Sequence, residues 1–174
     1  MAAIDEPVLR QRNTGPEPDA AQAVNVQASI GALVRGQPFA VLCTQGSGQP
    51  YGSGVAYAIN ETLDSAVFAT GRATRKYNLL TDCDRVALVI DSRSVYPDQL
   101  MKVEAITATG QAVELSADNR RPWATRLVAC HPQLRSFVES PSTALFRIDI
   151  TRYLYVTRFQ EVHQWVPGSG AQNG

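Results

Sequence analysis

The chain has 174 residues, with 16 Lys+Arg balanced by 16 Asp+Glu, 44% hydrophobic residues, 12 Gly and 10 Pro. That length supports one domain whose core needs no disulfide or structural metal, and the even charge balance argues against a general nucleic-acid or polyphosphate binder. No uncharged apolar run approaches the roughly 20 residues of a membrane span, and MAAIDEPVLRQRNTG lacks the basic start and apolar stretch of an export signal, so no membrane association and a cytoplasmic location are expected.

Residues 1–25 combine Pro7, Pro16 and Pro18 with polar residues and no apolar period, which predicts a flexible N-terminal arm. Val26, Ile30, Leu33 and Val34 recur at helical spacing, and Arg35-Gly36 follows as a stop, so a short helix leads into the body. Residues 38–44 and 50–59 flank the turn-forming stretch QGSGQ and read as a hairpin with a five-residue loop. Because side chains alternate along a strand, Tyr51, Ser53, Val55, Tyr57 and Ile59 share one face, and Gly52, Gly54, Ala56 and Ala58 share the other. A nearly bare face marks either tight packing within a small barrel or close approach by a flat ligand or another backbone.

Residues 65–70, 84–91 and 101–115 continue the strand pattern, with a bend or bulge expected at Gly110. Residues 116–139 change to helical character: Ser116 or Asp118 is the candidate cap, Trp123, Leu127, Val128 and Cys130 follow, and Pro132 interrupts before a second short helix. Residues 144–150 and 153–166 return to strand, and residues 167–174 read as a flexible C-terminal tail. The fold class expected for residues 26–166 is mainly β (α+β), a six- or seven-stranded antiparallel barrel with short peripheral helices.

The three cysteines, Cys43, Cys83 and Cys130, are widely spaced and form no C-x-x-C, which supports neither a disulfide framework nor a zinc site. Cys43 and Cys130 read as small buried hydrophobes. His131, directly before Pro132, reads as a helix-ending residue.

The chemistry concentrates in FATGRATRKYNLLTD, where Arg72, Arg75 and Lys76 lie in a stretch free of acids between Asp64 and Asp82. A strand ends near Thr70, the chain passes Gly71, and a helix starts at Thr74. A phosphate at such a junction meets free helix N–H groups, the Thr74 hydroxyl and the side chains of Arg75 and Lys76; a solvated basic face is the competing reading.

These residues resemble the flavin-binding split-barrel family related to pyridoxamine 5′-phosphate oxidase. The resemblance rests on Phe68, Thr70, Thr74, Arg75 and Lys76, on the continuation NLLTDCDRVALVID, and on GQAVELS at 110–116, and it covers residues 38–166. It implies a homodimer with flavin mononucleotide (FMN) at the interface. The phosphate would lie near Thr74, Arg75 and Lys76, the ring beside Ser53, Gly54, Val55 and Ala56, and Ala69 and Thr70 near the ribityl chain or ring. Trp165 would cover the flavin edge or fill the interface.

The departures bear on substrate. Counting back without a gap, the Arg and Lys of the true oxidase become Gly54 and Ile59, its flavin-contacting glutamine becomes Ala105, and its C-terminal Arg-x-His element is absent from 165–174. The expectation is an FMN-dependent oxidoreductase of unidentified small-molecule substrate that does not oxidise pyridoxamine 5′-phosphate. A deazaflavin in place of FMN, or a haem-handling role with His131 or His163 as axial ligand, are the alternatives.

Overall fold

The computed structural model describes residues 20–158 and 161–168, with side chains from Val26 onward. The expectations for residues 1–19 and for 169–174 lie outside the described residues.

The elements run α1 (Ala20–Gly36), β1 (Phe39–Gly46), β2 (Gln49–Ile59), β3 (Ser65–Gly71), α2 (Arg75–Asp82), β4 (Arg85–Asp91), a single 3-10 turn (Leu100–Lys102), β5 (Ala105–Glu114), α3 (Ala117–Cys130), a second 3-10 turn (Pro132–Leu134), α4 (Arg135–Glu139), β6 (Thr143–Thr157) and β7 (Glu161–Trp165). Sheet order is β3-β2-β1-β4-β5-β6-β7, all neighbours antiparallel, and β3 also pairs with β6. That last pairing closes β1–β6 into a six-stranded barrel, with β7 as an extra strand on β6.

The first hairpin is tighter than its sequence suggests. Ladder pairing continues to Gly46↔Gln49, and the turn is only Ser47-Gly48, both at positive φ (52° and 78°). Two left-handed residues give a turn whose twist matches that of the strands, which is why Gln45 pairs with Pro50 and Gln49 with Gly46 instead of looping out. The helix expected over 26–34 starts earlier, at Ala20, so the expected boundary at residue 25 falls inside α1.

Residues 144–150 and 153–166 form one continuous strand and the short β7. The break read at Thr151-Arg152 is a bulge within β6: Thr109 pairs with Arg152 but Gly110 pairs with Ile150, leaving Thr151 unpaired in the β5–β6 ladder. A Cβ at Gly110 would lie 2.3 Å from the Asp149 carbonyl oxygen, so only glycine lets the backbones approach there. The bulge bends β6 so that its first half pairs with β3 and its second half with β7.

The barrel interior holds Leu42, Phe68, Leu88, Ile106, Ile148 and Tyr153, each at most 1% exposed. Buried tyrosines tie the interior to its surroundings. Tyr57 donates to the Val34 carbonyl of α1 and Tyr153 to the Leu63 carbonyl, both at 2.5 Å, and burial raises both phenol pKa values far above the usual range. His131 caps α3 and is 3% exposed, its Nε2 donating to the Tyr57 carbonyl at 2.8 Å. A second cluster, with Ala58, Val67, Leu127, Val128, Val138 and Leu145, lies outside the barrel wall under α3 and α4. Cys130 is exposed on the last turn of α3, not buried, and Cys43 is half-buried on the outer face of β1.

Candidate functional site

The β2–β3 ladder is short. It pairs Tyr57↔Phe68, Ala58↔Val67 and Ile59↔Ala66, and then the strands part. Residues 49–56 of β2 continue along β1 alone, and residues 69–71 of β3 along β6 alone. The opening is flanked by α2, whose Leu80 is buried and whose Tyr77 packs on the barrel core. Lys76 reaches across it, with Nζ 3.4 Å from the Gly54 carbonyl oxygen on the edge that β3 no longer covers.

The connection from β3 to α2 is organised by two threonines. Thr74 is the N-cap of α2, extended at φ −96° and ψ 151°, and its Oγ1 accepts from the Tyr77 amide at 3.2 Å. The same hydroxyl donates to the Gly71 carbonyl at 2.8 Å, so the Thr70 hydroxyl, 3.0 Å away, supplies the proton between the two threonines. Thr74 has no proton left over. The Thr74 hydroxyl, expected beside a bound phosphate, is the cap of α2 here, and the amides of Arg75 and Lys76 are further donors with no acceptor within the helix.

The three cations differ. Arg72 is held 2.6 Å from Glu114 at the end of β5 and donates to the Tyr77 hydroxyl at 2.9 Å. Arg75 lies over the Tyr51 ring, its guanidinium carbon 4.8 Å from the ring centroid. Lys76 is half-buried, and desolvation pushes its ammonium below the usual lysine range. Among the described residues neither Arg75 nor Lys76 has a carboxylate partner.

The bare face of β2 divides along its length. Ala58 is 2% exposed and packed beneath α3, so at that end the small side chain serves close packing. Gly54 is exposed, and a Cβ there would meet nothing within 4 Å, so at the open end nothing among the described residues requires glycine. Gly54 and Ala56 face outward, whereas Ser53 and Val55 turn their side chains into the barrel. Val55 is 5% exposed, and the Ser53 hydroxyl is buried without a partner. Ala69, on the outer face of β3, packs on the cluster under α3.

Trp165 is not with these residues. It pairs with Tyr153, while Thr70 pairs with Ala144, so the two lie nine residues apart along β6, roughly 30 Å of strand. Its ring packs on Tyr153 at 5.4 Å, against the core. A cavity of about 650 Å³ also lies elsewhere, lined by Ser29, Tyr96, Lys102, Glu104, Tyr155 and His163 among others. Tyr51, Tyr77 and Glu114 are site residues that sequence reading missed. Only Tyr77 carried a local signal, three residues after a helix cap; Tyr51 and Glu114 are brought in by the packing of α2 and the turn before it on the barrel.

The chain is similar to a haem-binding protein of Mycobacterium smegmatis (TM-score 0.71, 15% identity, 88% of this chain and 60% of that one). It is also similar to a protein of the pyridoxinephosphate oxidase family from Clostridium acetobutylicum related to general stress protein 26 (0.63, 14%, 86% and 96%). A FAD-binding protein from Mesorhizobium loti gives 0.61, 16%, 74% and 90%. At these identities the likeness is one of fold. No curated protein matches significantly in sequence. The family model described as pyridoxamine 5′-phosphate oxidase matches residues 26–157, a span that takes in the whole closed barrel together with the cap at Thr74 and the cations that follow it, and the chain belongs to that family.

Proposed function

We propose that this protein is an FMN-binding oxidoreductase acting as a homodimer, with Arg75, Lys76 and the first two amides of α2 holding the flavin phosphate. The observation that carries the reading is the pair of cations without carboxylate partners among the described residues, on a capped helix start beside an open glycine on β2. The residues fit the group. A phosphate dianion finds a guanidinium, an ammonium and two free N–H groups, and Gly54 and Ala56 leave space for a flat ring along the strand.

Each residue then has a part. Arg75 is braced against Tyr51 and offers a planar fork; Lys76 is a point charge whose partial burial makes an anionic partner favourable. Thr74 and Thr70 hold the turn. Bound FMN supplies the electron transfer, and the protein supplies position and field.

The dimer reading is supported by the outer face of the sheet. Gly54, Val41, Val89, Thr107 and Leu154 fall in one cross-strand row, uncharged and none fully buried, and Gly52, Cys43, Ala87 and Thr109 lie in the next, which ends on β6 at the charged Arg152. Phe39, 62% exposed, continues the face. A largely uncharged face of this kind suits an isologous partner, which would complete the open side of the flavin site and supply a distant residue such as Trp165 from the second copy.

Gly54 and Ile59 carry no charge, so pyridoxamine 5′-phosphate is not the proposed substrate. The haem reading is weakened because His131 is buried and bonded to the Tyr57 carbonyl, leaving His163 as its one histidine.

The absorption spectrum and mass of the chromophore that copurifies, with light scattering for the particle mass, test the proposal. Flavin bands, the mass of FMN and a dimer are expected. A deazaflavin mass, a haem Soret band or a flavin-loaded monomer would each overturn a stated part.

A further inference from the structure

Arg72 is the cation that phosphate binding leaves unused, and its contacts form a closed set. Its guanidinium reaches Glu114 Oε1 at 2.6 Å and the Tyr77 hydroxyl at 2.9 Å, and that hydroxyl donates to Glu114 Oε2 at 3.1 Å. Each member belongs to a different element: Arg72 to the β3–α2 connection, Tyr77 to the first turn of α2, and Glu114 to the end of β5. Tyr77 is anchored further by its ring, edge-on to Phe146 at 5.9 Å, and its amide is the one Thr74 caps. The Arg72 amide donates to the Ser142 carbonyl at 2.9 Å, which pins the other side of the turn.

We propose that Glu114 is a positioning residue for the anion site: through Arg72 and Tyr77 it fixes the turn that carries Thr74, and with it the aim of Arg75, Lys76 and their two free amides. This rests on the phosphate reading above. Two effects of Glu114 oppose each other. As a bare negative charge near an anion site it weakens phosphate binding, whereas as the holder of the turn it strengthens it. The closed three-way contact makes the second effect the larger, because phosphate binding depends on several donors converging at once.

The opposition makes the test decisive. FMN and riboflavin are titrated against wild type, Arg75→Ala, Glu114→Gln, Arg72→Gln, Tyr77→Phe and the Glu114→Gln/Arg72→Gln double variant, with thermal melts of each. Positioning predicts that Glu114→Gln and Arg72→Gln both weaken FMN binding, roughly 5- to 20-fold, and that the double variant is little worse than either. Tyr77→Phe shows a smaller loss in the same direction, and riboflavin affinity changes less than about twofold. Tighter FMN binding by Glu114→Gln alongside weaker binding by Arg72→Gln would overturn the inference in favour of a simple field effect. Equal losses for riboflavin would overturn it in favour of general loosening. If Glu114→Gln does not fold, Tyr77→Phe and Arg72→Gln carry the same comparison. Unchanged FMN binding by Arg75→Ala, or none by wild type, defeats the phosphate reading itself; a loss confined to Arg75→Ala defeats only the role of Glu114.

Discussion

The two halves of β2 have the same small-residue face and opposite surroundings. From Tyr57 to Ile59 the strand is zipped to β3, and α3 lies over Ala58; from Gln49 to Ala56 that edge is unpaired and Gly54 faces open space. A run of Gly and Ala therefore has two causes within one strand. Close packing explains the zipped half, whereas at the open half the described residues supply no packing against Gly54.

Three substitutions probe that contrast. Phe68 is fully buried at the zipped end and stacked on Phe146, with ring centroids 5.6 Å apart. Phe68→Ala should cost about 3–5 kcal/mol in denaturant unfolding. A loss below about 1 kcal/mol would mean that the zipped half is not the stabilising half.

On the bare face, Ala58→Val should cost about 1–3 kcal/mol by overpacking against Leu127 and Leu145. Gly54→Val should stay within about 0.5 kcal/mol of wild type, because no atom of the described residues is near its Cβ. The same Gly54→Val protein should bind FMN at least about tenfold more weakly, since one branched side chain occupies the proposed ring position. A destabilised Gly54→Val would place ordinary packing at the open half.

The smallest effect is the pH dependence set by Lys76. Burial lowers its folded-state pKa below the ordinary 10.5, so between those two values the unfolded chain holds a proton that the folded chain has released. Stability contributed by this group therefore rises with pH through that window. FMN affinity runs the other way, because the neutral amine no longer pairs with phosphate. Both FMN-free wild type and Lys76→Met lose stability in the alkaline range as the raised Tyr57 and Tyr153 phenols come to ionise first in the unfolded chain, and melts should show that loss offset in wild type by the Lys76 contribution; parallel curves would contradict the assignment.

How much of this was legible depended on how local the cause was. Gly110 was readable as a bulge because a glycine inside a β-rich segment needs a backbone reason, and Thr70 to Lys76 was readable because the cap and both cations lie within seven residues. The hairpin loop was read too long because Gln45 and Gln49 have loop-like composition, yet their pairing is set by the Ser47-Gly48 turn. Cys130 was read as buried because helical periodicity does not say where a helix's covered face ends. Glu114 lies 42 residues after Arg72, and what joins them is the packing of the β3–α2 connection and α2 against the end of β5. Periodicity carries no record of that contact.

The central claim is that Arg75 and Lys76 bind the flavin through its phosphate, and the most direct test compares FMN with riboflavin on wild type and Arg75→Ala. Removing the guanidinium should weaken FMN binding by roughly 1.5–3 kcal/mol, about 10- to 150-fold, and leave riboflavin, which has no phosphate, almost unchanged. Equal losses for both flavins, or no loss for either with the fold intact, would contradict it.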